Sequence, residues 1–487
     1  MAVLKLSTPG VYVQEISTLP PSVAEVETAI PAFIGYTEKA DRLVAGDLVM
    51  IPNKIGSLSD FEQFYGGPPT ESDDSITITV KDSGNNQYEI ICGYDTSKRS
   101  KYCLYYSIKH FYDNGGGTCY IVAADTFKTP GVVSKDKLKS ALDVIKDVDE
   151  VTLLAIPETP AIDQSDGGNA YKEVVNAMIN QAYDLKDRFA IIDPYKVTAK
   201  NSVDPNGDID ADVLIMRNAS LTVTENRYAA SYYPNLITTY AFKYDFNNLA
   251  IDTYTLVGVA SPSVAGYAAG KKMSDLGSGS VLFTKISDAL KKEYVTLPPS
   301  PAIAGLYTRV DTNKGVWKAP ANEVLLSVVE PNLAISSREQ ESLNVDPNSG
   351  KSINVIRTFP GYGTLVWGAR TLNGNDNEWR YISVRRFFIM VEESIKKSSQ
   401  WAVFEPNAID AWVKMQAMIE NYFFQKWMEG ALAGVKPEQA FYVKVGLGKT
   451  MTSLDILEGR MNVEIGLSVA RPAEFIVLKF SQMVQQS

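Results

Sequence analysis

Gly459-Arg-Met-Asn-Val-Glu-Ile-Gly-Leu-Ser-Val-Ala-Arg-Pro-Ala-Glu-Phe-Ile-Val-Leu-Lys-Phe480 is the stretch on which the reading of the chain turns. Met461, Val463, Ile465 and Leu467 alternate with Asn462, Glu464, Gly466 and Ser468, the period-2 pattern of a strand with one buried and one wetter face. Phe475, Ile476, Val477 and Leu478 form an unbroken apolar run, which suits a second strand covered on both faces and continuing to Phe480. Pro472, between the two, cannot donate to a ladder, so the chain is expected to change direction or partner there. Only the uncharged tail Ser481-Gln-Met-Val-Gln-Gln-Ser487 follows to cover the second strand's outer edge. An open edge of this kind aggregates unless another chain pairs with it.

The other end of the chain poses the same problem. After Thr8-Pro-Gly10, Val11 and Val13 alternate with Tyr12 and Gln14 through Glu15 and Ile16, and Leu19-Pro-Pro21 ends the strand. Fenced by prolines, it has no local partner and must find one far away in sequence or on another molecule.

Composition removes several classes of function. Across 487 residues, 47 Lys+Arg stand against 57 Asp+Glu, a net charge of −10, and no basic run tracks a phosphate backbone, so direct nucleic-acid binding is disfavoured. The N-terminus lacks a basic region followed by a long apolar one, and no apolar stretch reaches membrane-spanning length. Synthesis in the cytoplasm without a signal peptide, and no membrane insertion, are the expectations. Cys92, Cys103 and Cys119 contain no CxxC and read as buried free thiols. His110 is the only histidine, so any triad or imidazole base would have to run through it. Its aromatic surroundings, Ile108-Lys-His-Phe-Tyr112, fit packing better. No catalytic residue, cofactor or metal site is expected.

Between the ends the chain alternates. Ile30–Gly35 is a short strand, Leu58–Gly67 a capped helix ending on glycine, and Ile76–Val80 with Tyr88–Cys92 a hairpin, taken as a surface insertion over 72–100. Tyr102–Tyr112 is helix-spaced and Cys119–Ala123 a buried strand. A helical face at Leu138, Leu142 and Ile145, a strand Val151–Ile156, a helical face from Val174 to Ala182 and a strand Phe189–Ile192 follow. That rhythm predicts a partly parallel α/β sheet. A single strand is predicted over Arg227–Thr238, with exposed loops over Asn201–Asp210 and Asp275–Ser280. Asp193 lies where such sheets carry ligand groups, but as a lone carboxylate it reads better as a turn or cap group. Gly446-Leu-Gly-Lys-Thr450 has the end of a phosphate-binding loop without its first glycine, Val443 standing in that place, and reads as a loop between strands. Val384, Phe387, Phe388, Val391 and Ile395 follow helical spacing, as do Ile409, Trp412, Val413, Ile419, Phe423 and Trp427. Asn407 with Asp410 suits the second helix's start and Gly430 its stop.

Four segments carry a family likeness: Ser7–Glu15 with Ala32–Gly35; Pro298–Tyr307 with Gly315–Asn322; Asn354–Thr371 with Trp379–Arg386 and Trp401–Asn407; and Gly459–Phe480. In this order they resemble the tail sheath proteins of contractile phage tails and phage-like injection systems. The hairpin at 72–100 and the loop Gly446–Leu457 depart from the family pattern and leave the subtype open. The resemblance implies an α+β and α/β multidomain chain with a discontinuous C-terminal assembly domain using both chain ends and an outer α/β domain inserted between them. The expected division is an arm over 1–30, an outer domain over 31–335, an assembly core over 336–473 and a second arm over 474–487. Such a subunit is structural rather than enzymatic. Its copies form a helical sheath around an inner tube protein, meet baseplate and terminator or cap proteins and in some systems sister sheath subunits, and belong to a virion tail or a contractile particle. Exposed polar side chains on the second helix, notably Lys414, Glu420 and Lys426, are the expected tube contacts. Two other readings stay open: another self-assembling shell or surface-layer protein, and an α/β hydrolase-like enzyme using Asp193.

Overall fold

A computed structural model describes residues 22–127, 131–163, 165–196, 207–219, 223–264, 267–277 and 279–478. The chain divides into two compact units, Met1–Val26 with Val391–Ala470, and Glu27–Met390 with Arg471–Ser487. The division falls inside the helix Ile382–Ser398.

In the larger unit, Pro31–Thr37, Phe189–Ile192 and Ala229–Tyr233 are buried along their whole length, as strands covered on both faces must be. They belong to a nine-stranded sheet ordered Glu323–Val324, Gly363–Val366, Ile353–Phe359, Ala229–Tyr233, Phe189–Ile192, Leu153–Ala155, Pro31–Thr37, Cys119–Thr126 and Asn53–Ile55. From Ile353–Phe359 to Cys119–Thr126 neighbours run parallel. Both edges are antiparallel. Helices Leu104–Asp113, Lys135–Val144 and Asn169–Leu185 supply the crossovers that parallel pairing requires. Ser300–Lys314 packs closely on Leu104–Asp113 at Gly305, where a Cβ would stand 2.4 Å from the Phe111 carbonyl oxygen.

Two predicted features change form. The strand expected over Arg227–Thr238 is two strands, Ala229–Tyr233 in the large sheet and Leu236–Ala241 between Tyr294–Leu297 and Val328–Pro331 in another. Pro234 stands at the break, and having no N–H it cannot continue a ladder. The hairpin, Ile76–Asp82 with Tyr88–Tyr94, gains Thr253–Leu256 as a third strand and shares a separate apolar core with Leu249, Ile251, Met273, Leu282 and Ile286. It is half of a small subdomain whose other half lies far along the chain. The loop expected over Asn201–Asp210 is helical from Gly207, and the Asp275–Ser280 stretch opens with the tail of a 3-10 turn, Met273–Leu276.

The smaller unit contains Ile409–Met428 and a two-stranded antiparallel sheet, Phe441–Val445 with Val463–Leu467, registered Phe441 to Leu467 and Val445 to Val463. The helix buries Ala411, Met415, Met418, Ile419, Tyr422 and Phe423, and the Phe423 ring meets Phe441 at 5.6 Å between centroids. Ile409 and Val413, expected in that core, are 67% and 60% exposed. This helix is apolar on more than one face, so spacing alone leaves the buried stripe undetermined. Asn407 does not cap it: Ala408 precedes the helix, and Asn407 Oδ1 accepts from Trp412 Nε1 at 2.7 Å.

Candidate assembly surfaces

Parallel sheets place ligand groups beyond their strands' carboxyl ends, where the strand order reverses. Here the order reverses at Pro31–Thr37, which has Cys119–Thr126 on one side and Leu153–Ala155 on the other. That crevice is filled from within. Glu158, fully buried, accepts from Tyr36 N at 2.8 Å through Oε2, and from Cys103 N at 3.0 Å and Leu104 N at 3.3 Å through Oε1. It thereby takes the anion's place at the start of the Leu104–Asp113 helix. Burial pushes its pKa up to about 8 against the pull of those three N–H groups. Asp193 does the same for Ser300–Lys314, accepting from Ser300 N at 2.7 Å and Ser300 Oγ at 2.5 Å, with burial pushing it up to about 7. It is a buried cap group with its oxygens turned into the fold. His110 is packed, its Nε2 3.1 Å from the Leu326 carbonyl, and burial pulls its pKa down to about 4. Cys119 is buried, whereas Cys92 and Cys103 are half-buried, and all three are free thiols.

The Gly446–Thr450 loop offers no phosphate cradle. Lys449, Thr450 and Met451 N–H all point to the Gly446 carbonyl, at 3.2, 3.1 and 3.2 Å, and Gly448 N donates to Met451 O at 2.9 Å. The loop leads through the short helix Ser453–Leu457 into the returning strand.

Val11, Tyr12, Val13, Glu15, Ile16 and Phe480 lie outside the described residues. From Ser22 to Val26 the chain belongs to no helix or strand and is tied down by side chains: Ala24 N donates to Ser398 Oγ and Val26 N to Ser394 Oγ, each at 3.1 Å. Glu25 receives Lys426 Nζ at 2.6 Å and Tyr422 O–H at 2.9 Å. Lys426 is therefore not the exposed side chain expected: it is buried, held between Glu25 and Glu429 Oε2, also at 2.6 Å. Lys414 on the same helix is exposed, and half-buried Glu420 accepts from Gln416 at 2.7 Å.

At the other end Phe475, Ile476, Val477 and Leu478 are between 73% and 79% exposed and belong to no strand. Among the described residues the run is not the covered strand its composition describes, because no described element of its own unit lies over it. Its root is held. Glu474 receives Arg370 Nη2 at 2.7 Å, Arg370 Nε at 3.0 and 3.2 Å, Asn344 Nδ2 at 2.9 Å and Tyr381 O–H at 3.3 Å. Sequence reasoning missed Arg370 and Glu474, since 104 residues separate them and nothing local marks either. The smaller unit adds further apolar exposure at Phe404, Met428, Val435, Leu454 and Leu457, and both outer edges of its two-stranded sheet are unpaired among the described residues. No helix among the described residues is long and apolar enough to cross a membrane.

Residues 374–482 match the phage tail sheath C-terminal domain family. The tail sheath protein of Enterobacteria phage T4 is 31% identical over 114 residues, 23% of this chain and 16% of that one. A chain of the anti-feeding prophage baseplate structure is 29% identical with a TM-score of 0.63, covering 98% of this chain and 100% of that chain. One from the contracted sheath complex of PVC, an extracellular contractile injection system, is 28% identical with a TM-score of 0.62, covering 99% of each. The matches span from 16% to 56% of the lengths of the curated tail sheath proteins, less than two thirds of any. With a sheath-domain match at its C-terminal side and near full-length likeness to chains of contractile particles, the chain is similar to the tail sheath proteins of contractile phage tails and phage-tail-like injection systems.

Proposed function

We propose that copies of this chain polymerise helically around an inner tube and that the polymer passes from an extended lattice to a shorter, wider one, driving the tube through a target envelope. The observation that carries this is Phe475–Leu478: four apolar side chains, each more than 70% exposed, rooted in an ion pair between buried Arg370 and half-buried Glu474. Burying such side chains yields roughly 1.5–3 kcal/mol each. About 6–12 kcal/mol per arm is then available against the cost of immobilising a neighbour. The two-stranded sheet of the smaller unit offers open edges for the pairing, so each subunit both donates and receives a strand. A head-to-tail contact of that kind, repeated without closure, builds a helix.

The assembly domain in this reading is discontinuous. The compact unit of Met1–Val26 with Val391–Ala470 supports that reading. The arms comprise Val11–Ile16 and Phe475–Phe480, with Lys414 and Glu420 the proposed tube contacts. Flexible arms keep neighbours joined while rigid units rotate and slide, a two-state repacking of interfaces. The subunit's role is structural and not enzymatic. Its partners are further copies, the tube, a baseplate and a terminator or cap, with sister sheath subunits in some systems; its place is a phage tail or an extracellular contractile particle.

Electron microscopy of the purified protein tests this, with cylinders of two pitches the expected result and flat or spherical lattices the refuting one. Deleting residues 1–20 or 475–487 should yield folded subunits that make no tubes. Long regular polymers from either deletion would refute the strand-exchange model.

A further inference from the structure

Between the smaller unit's sheet and the exposed run, the chain is fastened at successive points. Ala470 N donates to Ala431 O at 3.0 Å, the Arg471 guanidinium reaches Asn377 O at 2.7 Å, and Glu474 takes both edges of the Arg370 fork. Arg370 is 4% exposed and is itself fixed, its backbone N donating to Asn354 Oδ1 at 2.8 Å and Nη1 to Gly374 O at 3.1 Å. Pro472 and Ala473 lie between the two guanidinium contacts and are held through these neighbours. Every residue after Glu474 as far as Leu478 is exposed.

We propose that Arg370 and Glu474 form a root clasp for the C-terminal arm, fixing where its own subunit ends and the segment given to a second copy begins. This rests on reading Phe475–Leu478 as an intersubunit arm. A planar fork on a carboxylate resists displacement along the chain better than a point charge does, because both parallel hydrogen bonds must break together. Tension applied by a neighbour then stops at Glu474. Without the clasp it would pass through Arg471 and Pro472 into Val463–Leu467, the strand that the same subunit needs for receiving arms. Pre-fixing the root also removes conformational freedom that assembly would otherwise have to remove.

The test uses Glu474→Gln and Arg370→Lys in the full chain. Glu474→Gln keeps an acceptor for Asn344 but loses the charged fork, and Arg370→Lys keeps the charge but loses the planarity. In free subunits, amide exchange over 471–475 should quicken at least tenfold in both variants while the subunit's melting temperature stays within about 2 °C. The critical concentration for polymerisation should rise about tenfold or more. Exchange and critical concentration both equal to those of the unaltered chain would overturn the clasp. A large fall in melting temperature would also overturn it, by making the pair an ordinary contact of the fold. Deletion of 475–487, which leaves the clasp intact, tests the arm separately: polymers at the usual concentration would sink the arm reading whatever the exchange rates show.

Discussion

Replacing Asp193 by Asn removes a buried charge without removing its hydrogen bonds. The carboxamide oxygen can accept from Ser300 N, and the amide can donate to Ser300 Oγ, a hydroxyl able to reverse its role. Burial holds the folded-state pKa at about 7 against an ordinary 3.8. Between those values the folded protein keeps a proton that the unfolded chain has released. The stability this group contributes is therefore fully present below about pH 4 and is lost as pH rises through 7. At roughly 1.4 kcal/mol per unit the loss comes to about 4 kcal/mol, an upper bound that relaxation and water penetration reduce to about half. Asp193→Asn should match the unaltered chain only below about pH 4, pull ahead of it steadily above that, and exceed it by about 2–4 kcal/mol at pH 8. For a unit of this size that is a melting-temperature gain of a few degrees. Thermal melting of both proteins from pH 5 to 8 measures it, and parallel curves would refute the reasoning by showing the carboxylate ionised throughout.

Glu158→Gln should behave in the opposite way. Both Glu158 oxygens accept backbone N–H groups, so a carboxamide must turn its NH2 toward a donor, at a cost of about 2–3 kcal/mol in urea unfolding at pH 7. An unchanged midpoint would mean that the side chain finds another arrangement. Lys426→Glu would place a third carboxylate against Glu25 and Glu429 and should lower the smaller unit's melting point by the equivalent of about 3 kcal/mol or more. Lys414→Glu, at an exposed position, should leave melting within about 0.5 kcal/mol while weakening co-sedimentation of the tube with the sheath. Equal melting for the two variants would contradict the burial difference on which the pair rests.

What local pattern encodes was readable, and what distance encodes was not. The alternation from Lys135 to Ile192 gave its helices and strands because period 3.6 and period 2 are each written within a dozen residues. The partner of the 76–94 hairpin was invisible, because Thr253–Leu256 lies some 170 residues on and carries no mark of it. Glu25 with Lys426 and Arg370 with Glu474 were missed for the same reason, 401 and 104 residues apart. The Ile409–Met428 helix failed differently: with Ile409, Val413, Phe424 and Met428 on its exposed side, two stripes compete and the residue order does not choose between them.

Those exposed apolar residues and the buried carboxylates are two sides of one arrangement. In the large unit, the crevice that an α/β enzyme would leave open is plugged by Glu158, and a second helix start is capped by Asp193, so the sheet's carboxyl end is spent on rigidity. In the smaller unit and at the arm, ordinary side-chain burial is left incomplete, with Phe404, Val435, Leu457 and Phe475–Leu478 facing solvent. A single subunit gains nothing from that exposure, and in isolation it is an aggregation hazard. The proposed lattice would gain from both properties together. Rigid bodies transmit displacement without deforming, because packed interiors are stiff, and unsatisfied surfaces supply the contacts whose exchange lets a lattice hold two lengths. In the proposed lattice, softening the large unit at Glu158 and loosening the arm's root at Glu474 should therefore impair different steps, the first lowering the work delivered on contraction and the second raising the concentration at which the polymer forms.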